Sequence, residues 1–300
     1  MIHSTAEVQT LYVDPTASVG AFTLIGPDAQ IGAGAVVGSH CLVDRAVRVG
    51  SRATVGDGTR LLGPLALADS VRIGPNVTFA APDSASPKAS PSGPTLVEAG
   101  AVIEAGAVIL AGVTIGASAH VAAGAVVTHS VPAFAVVSGN PARITGYVDT
   151  VREAAPATSA GATATSVRGV TLHQLPLIND IRGSLSVGEF GRTLPFAVKR
   201  YFVVFGVPSV ETRGEHAHRQ CQELLVCVTG SCSVVADDGR ARQEFRLDRP
   251  DLGIYLPPMV WRVHYKYTPD AVLVAFASEY YDPADYIRSY QEFLREVQLG

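Results

Sequence analysis

From Val13 onward, an aliphatic or aromatic residue falls at every sixth position: Val13, Val19, Ile25, Ile31, Val37, Val43, Val49, Val55, Leu61, Leu67, Ile73 and Phe79. After a gap the count resumes at Val97, Ile103, Ile109, Ile115, Val121 and Val127. Four positions beyond the large residue stands mostly a small one, such as Ala17, Thr23, Ala29, Ala35 or Cys41. The residue directly after it is often glycine, as at Gly20, Gly26, Gly32 and Gly38. A helix does not accommodate this pattern, because six is not a multiple of 3.6 and each interior glycine costs a helix about 1 kcal/mol. So short and long-sustained a period predicts a solenoid of short parallel strands. Each large residue points into a narrow prism, the small residue fits a corner and glycine permits the turn. Successive coils then stack about 4.8 Å apart.

One stretch breaks the period. Residues 80–94, "AAPDSASPKASPSGP", hold four prolines and four serines and predict a loop ejected from the solenoid, a common place for function. A second change of texture comes at residues 151–168, which begin "VREAAPATSAGATATS", lack an apolar period and predict an interdomain connection. Beyond it, "FAVKRYFVVFGV", "ELLVCVTGSCSVVADDG", "LGIYLPPMVWRVHYKY" and "AVLVAFASEYY" are strand-like runs separated by turn residues. Asp237-Asp238-Gly239 is a hairpin signal, and a short amphipathic helix is expected after Pro283. Many short antiparallel strands suggest a jelly-roll or cupin barrel. The expected organisation is therefore a mainly β chain: a solenoid over residues 1–150, a connection over 151–168 and a barrel over 169–300.

A length of 300 residues fits two cores better than one. The net charge of −4 and the presence of only three lysines (Lys88, Lys199 and Lys266) argue against general affinity for nucleic acid or membrane. Cys41, Cys221, Cys227 and Cys232 form no C-x-x-C pair and are read as reduced, packed thiols. The amino terminus "MIHSTAEVQT" has no basic start or apolar run, and no stretch approaches a membrane span. A cytoplasmic protein is expected.

The densest chemistry lies in "RGEHAHRQCQELLVCVTG", Arg213 to Gly230. Alternate residues of a strand share a face, so His216 and His218 point the same way. The spacing H-x-H, then Glu223, then Gly230 fits the metal-binding cupin pattern, in which three or four N and O ligands suit iron, manganese or zinc. That pattern wants one more histidine after "LPPMVW". Arg262 stands there instead, a cation that opposes a divalent metal, and His264 follows two positions on. The alternative is that the two histidines move protons, since imidazole titrates near neutral pH.

Residues 13–147 resemble the left-handed parallel β-helix of hexapeptide acyltransferases. The ending "GAVVTHSVPAFAVVSGNPARITGYV" is similar to that of the nucleotide-sugar N-acetyltransferases. The resemblance implies a homotrimer using acetyl-CoA as co-substrate in a groove between subunits, near the segment Gly139–Arg143. It implies cofactor contacts at Gly112, Ala119, His129, Asn140, Pro141 and Arg143, and a sugar contact at Asn76. The ejected loop would help hold the amino sugar.

The second half resembles the dTDP-sugar 3,4-ketoisomerases, metal-free cupins. The matching stretches are "RGSLSVGE", "PFAVKRYF", "RGEHAHR", "LLVCVTGSCSVVADDG", "GIYLPPMVW" and "ASEYYDPADYIRSYQEF". The resemblance implies His216 and His218 as the proton-transfer pair, with no metal. Arg213 would partner a pyrophosphate or an oxyanion, and Tyr255 would face inward as a further hydrogen-bond donor. Substrate contacts are implied at Arg182, Lys199, Arg200, Glu223, Trp261 and Arg262. In this family the position of Arg262 is often histidine.

Together the halves resemble bifunctional WxcM-like ketoisomerase/N-acetyltransferases, with dTDP-linked 4-keto-6-deoxy and 3-amino-3,6-dideoxy sugars as substrates. A separate aminotransferase would act between the two steps, and the product would feed surface polysaccharide assembly. Cupin–cupin contacts would add to the trimer. Two other arrangements remain: a ketoisomerase on a non-catalytic trimeric scaffold, or an acyltransferase carrying a metal- or sugar-binding cupin module. The acyltransferase half departs from its family at Phe79-Ala80-Ala81-Pro82, where an asparagine is usual, and at His129, where lysine is common. Candidate bases are His40, His120 and His129. The expectation is that a positioned neutral amine attacks the thioester without any of them.

Overall fold

In a computed structural model, residues 1–81, 93–152, 161–208 and 211–299 are described. The chain divides into two compact units, Met1–Val148 and Asp149–Gly300.

The first unit is a three-faced prism. Among the described residues its strands, mostly two or three residues long, form sheets of seven, five and eight. Pairing is parallel and steps by 18 residues: Ile25 faces Val43, Val43 faces Leu61 and Leu61 faces Phe79. Three hexapeptides therefore make one coil. The sixth-position residues are the core, and Ile25, Val43, Leu61, Phe79 and Ile109 are fully buried in one column. Between Phe79 and Ile109 the step lengthens to 30 residues, which places the insertion between two coils without disturbing their register. Of that expected loop, residues 82–92 lie outside the described residues. The stack also starts earlier than the periodicity suggests, since Glu7–Val8 already pairs with Leu24–Ile25. It is closed by Arg143–Tyr147, which folds back antiparallel on Ala135–Ser138.

The second unit is a two-sheet barrel. One sheet runs in the order Val151–Arg152, Arg242–Leu247, Cys232–Asp237, Trp261–Tyr265, Arg213–His218 and Tyr286–Ile287. The other runs Gly161–Ala164, Thr171–Gln174, Leu252–Leu256, Glu223–Thr229, Val272–Ala277 and Arg200–Phe205. Their facing sides enclose a core that includes Leu225, Cys227, Cys232, Val234, Phe245, Ile254 and Leu273. All four cysteines are free and buried.

One expectation needs correction. The segment read as a connection contributes strands: Val151–Arg152 pairs with Gln243–Glu244, and Gly161–Ala164 pairs with Thr171–Gln174. Its Ala/Thr-rich composition resembles a linker because this edge strand is exposed along its length and has no apolar face to bury. Residues 153–160 lie outside the described residues. The terminal helix does follow Pro283, as expected. That proline opens a short 3-10 turn, Pro283–Asp285, capped by the Asp282 side chain on Ala284 N. A short strand follows, and only then the helix Tyr290–Leu299. Among the described residues no helix is long and apolar enough to cross a membrane.

Candidate active site

Strand parity sets the chemistry of the barrel interior. Paired residues on neighbouring strands share a face. Arg262 pairs with Ala236 and His264 with Val234, both core residues, so these two polar side chains face inward. Glu223 shares its face with Leu225 and Cys227. Arg200 follows the same logic: it pairs with Ala277, which pairs with Glu223, and it shares a face with the core-packed Phe202 and Val204.

The histidine strand needs one device to join them. Arg213 pairs with His264, Gly214 with Val263 and His216 with Arg262, so Glu215 is an extra residue in a β-bulge. Gly214 and Glu215 both have positive φ, +85° and +53°. The bulge resets the alternation. Arg213, His216 and His218 consequently share a side, although their numbering gives Arg213 the opposite parity. Arg213 itself stays exposed at the start of the strand.

The two imidazoles meet edge to face, with ring centroids 4.9 Å apart, and Tyr286 packs on both at 4.9 and 4.3 Å. His216 Nδ1 lies 2.8 Å from the Gly214 carbonyl oxygen, a geometry in which Nδ1–H donates. His218 Nδ1 lies 2.8 Å from Asp285 Oδ2, and its Nε2 is 3.4 Å from Glu223 Oε1. Glu223 Oε2 is 3.5 Å from Arg262 Nη1. His218, Glu223, Arg262 and His264 are all buried. Yet the Nε2 atoms of both site histidines, both nitrogens of His264 and all three guanidinium nitrogens of Arg262 have no hydrogen-bond partner. So many buried unpartnered polar atoms mark a site built for a ligand rather than a core.

Charge is distributed unevenly there. Burial pulls the His216 imidazole down to about 3, and the Arg262 charge adds to that. Burial likewise lowers His264 to about 4. Burial opposes ionisation of Glu223, but Arg262 and His218 outweigh it and hold this carboxyl at about 2. At neutral pH the site therefore contains a fixed guanidinium, an ionised carboxylate and a neutral His216.

The donor atoms of His216, His218 and Glu223 lie within 4.8 Å of one another, a set that fits a divalent metal in type and number. Arg262 is the obstacle, because its charge competes for the same carboxylate at 3.5 Å. His218, Cys221 and Asp285 form a second such group, but there His218 Nδ1 and Asp285 already satisfy each other.

Several expected site residues are elsewhere. Tyr255 faces outward: its neighbours Ile254 and Leu256 take the interior, and alternation leaves Tyr255 on the far side. There it packs near Phe196, its hydroxyl donates to Gln222 Oε1 at 2.7 Å, and burial raises its pKa. Trp261 also faces outward, beside inward Arg262, and packs on Tyr290 and Phe293 of the terminal helix. Arg182 lies on the exposed hairpin Leu177–Ser186, paired with Asp180 at 2.5 Å. Lys199 turns away from the inward Arg200 and pairs with Glu279 at 2.6 Å. Asp285 and Tyr286, which complete the histidine pair, lie 67 and 68 positions beyond His218, and no local spacing in the sequence links them.

On the solenoid, Ala119 is a corner residue, fully buried, with its N–H donated to Gly116 O and its carbonyl accepting from Val102 N. Asn76 is an exposed turn residue at φ +56°. Gly112 donates its N–H to Thr95 Oγ1 at 2.9 Å. Exposed Asn140, Pro141 and Arg143 lie at the end of the stack, where the Ala142 N–H donates to Val126 O. His129 is exposed, its Nδ1 2.9 Å from Thr128 Oγ1.

Comparison with known proteins agrees with this division. Residues 168–298 match a family described as WxcM-like, C-terminal, and residues 94–129 match the bacterial transferase hexapeptide family. A TDP-4-oxo-6-deoxy-α-D-glucose-3,4-oxoisomerase from Aneurinibacillus thermoaerophilus is 42% identical over 120 residues, 40% of this chain and 86% of that protein. Similar solved structures include a 3,4-ketoisomerase from Helicobacter canadensis, 34% identical, covering 43% of this chain and 98% of that one, with a TM-score of 0.43. A TDP-quinovose 3,4-ketoisomerase from Campylobacter jejuni is 36% identical, covering 43% and 99%, with a TM-score of 0.42. The chain belongs, through its second unit, to the WxcM-like 3,4-ketoisomerase family, fused here to a hexapeptide-repeat solenoid of the bacterial transferase type.

Proposed function

We propose that the second unit converts dTDP-4-keto-6-deoxyglucose into its 3-keto isomer, and that the solenoid N-acetylates a dTDP-3-amino-3,6-dideoxyhexose with acetyl-CoA. What carries the isomerase reading is the histidine pair whose Nε2 atoms are buried without a hydrogen-bond partner, set against Arg262. The sugar C3–H is acidified by the adjacent C4 ketone. A site imidazole takes that proton, leaving an enediolate. A proton is then delivered to C4 and the C3 hydroxyl loses its own, so the ketone moves to C3. The Arg262 guanidinium stabilises the enediolate oxygen. Glu223 keeps Arg262 in place. Arg200, on the same inner face, is the candidate for the diphosphate, with Arg213 at the rim. No step needs a metal. If one binds, His216, His218 and Glu223 would hold it, and it would act as a Lewis acid on the ketone.

The acetyl-transfer reading is supported by the hexapeptide match and by the closing segment Gly139–Arg143. A trimer through the solenoid and cupin–cupin contacts belong to the same proposal. The deciding experiment is NMR of TDP-4-keto-6-deoxyglucose incubated in D2O with exhaustively chelated protein. The 3-keto isomer should form, with deuterium entering the reacting carbons. Activity that disappears on chelation and returns with stoichiometric metal would restore the coordination reading of the histidines.

A further inference from the structure

We propose that Asp285 is a positioning residue of this site: it fixes the tautomer of His218 and so makes His218 Nε2 the atom that carries the proton. This rests on the isomerase reading. A carboxylate only accepts, so the 2.8 Å contact to Asp285 Oδ2 requires the hydrogen of a neutral His218 to sit on Nδ1. Nε2 then holds the lone pair, without a hydrogen-bond partner and 3.4 Å from Glu223 Oε1.

Asp285 is itself immobilised. It accepts from Gln220 N at 2.7 Å and from Cys221 N at 3.3 Å. Its peptide carbonyl accepts from Arg219 N at 2.9 Å. The Arg219 guanidinium grips the carbonyls of Ala284 and Tyr286 on either side, at 2.8 and 3.3 Å, and the carboxylates of Glu292 and Glu296 on the helix. The segment after Tyr281 is thus a strap whose one inward carboxylate lands on the histidine.

The two rings are therefore unequal. His218 has a carboxylate at each nitrogen, Asp285 at 2.8 Å and Glu223 at 3.4 Å. Both stabilise the imidazolium formed when Nε2 takes the C3 proton. His216 has only a neutral carbonyl at Nδ1, and it faces Arg262. The other groups around His218 are the Tyr286 ring and Cys221, whose thiol burial pushes up. His218, with a carboxylate at each nitrogen, carries the proton, and His216 hydrogen-bonds the substrate oxygen.

The test uses Asp285→Asn and Asp285→Glu in the full chain, read by isomerase kinetics and by long-range 1H–15N correlation of the histidine rings. An amide in place of an orienting carboxylate keeps the shape but loses the tautomer, a change that costs about 10⁴-fold in the best-known triad. Asp285→Asn should lose at least about 100-fold in kcat with KM within about threefold, and Asp285→Glu should recover part of it. Wild-type His218 should show the Nδ1–H form and the Asn variant should not. A kcat within threefold of wild type in Asp285→Asn, or an Nε2–H form in the wild type, overturns the proposal. If the Asn variant fails to fold, the wild-type spectrum still decides. A wild type that does not isomerise the sugar defeats the functional reading, and the tautomer measurement stands apart from it.

Discussion

Two imidazoles one residue apart behave as different groups because their neighbours differ. His216→Asn and His218→Asn should each cut isomerisation by about 10²–10⁴-fold, the usual contribution of a general acid or base, and leave acetyl transfer intact. Initial rates of both reactions on each variant check this, and full isomerase activity in both would remove the pair from the mechanism. The same surroundings fix a stability profile. His216 and His264 are held near 3 and 4, below their ordinary value of 6.5, so between those values the unfolded chain binds protons that the native one excludes. Stability therefore falls as pH drops below about 6.5, the ordinary histidine value. Glu223, held at about 2, adds to the loss below its ordinary 4.5. Trp261 is the sole tryptophan and lies in the second unit, so its fluorescence in denaturant titrations at several pH values reads this directly. A flat profile from pH 7 to 4 would contradict the burial of these groups. At this scale the sequence was informative about types and parity: His216, His218, Glu223 and Arg262 do converge. It said nothing of Asp285, whose contact to His218 is made only by the folded strap.

Elements decide where those residues point, and here strand alternation both helped and misled. Period two placed His216 with His218, but applied to 254–256 and 261–264 it also puts Tyr255 and Trp261 outside, since Ile254, Leu256, Arg262 and His264 claim the interior. The bulge at Glu215 is the reverse case, because it brings Arg213 to a side that alternation denies it. Gly214 is its hinge. A Cβ there would meet the Arg262 carbonyl oxygen at 2.9 Å, and its φ of +85° disfavours any side chain. Gly214→Ala should destabilise the second unit by about 1–3 kcal/mol, the usual cost of such backbone strain. It should also shift the backbone that positions both His216 and Arg262. Isomerisation should drop at least about tenfold with acetyl transfer retained, because loss of preorganisation by an ångström is that costly. Urea titration by Trp261 fluorescence, alongside kinetics below the transition, separates the two effects. Unchanged kinetics would mean that the bulge does not aim the site.

At the scale of the whole molecule, the hexapeptide register is indifferent to what is inserted between its coils, which is why the solenoid was legible down to single core residues. The step from 18 to 30 residues adds a loop and changes no pairing face. What such periodicity cannot convey is chemistry on the outer surface, where each candidate base is already engaged. His40 stacks on Phe22 with centroids 5.1 Å apart. His129 Nδ1 meets Thr128 Oγ1 at 2.9 Å. His120 Nε2 meets Glu104 Oε1 at 2.8 Å, and Glu104 also accepts from Ala123 N at 3.0 Å, an arrangement that joins two successive coils. Orientation alone supplies much of an acyl-transfer barrier when a neutral amine is held against a thioester, about 7–11 kcal/mol in well-aligned cases. Backbone N–H groups of a rigid coil suit the oxyanion. Accordingly the wild-type protein should release thiol from acetyl-CoA in the presence of a dTDP-3-amino-3,6-dideoxyhexose, and His40→Ala, His120→Ala and His129→Ala should each retain turnover within about tenfold, less than a general base typically contributes. A larger loss confined to His120→Ala, reproduced by Glu104→Gln, would make that pair the base and refute the base-free mechanism. No turnover by the wild type would leave the solenoid as a scaffold for the isomerase.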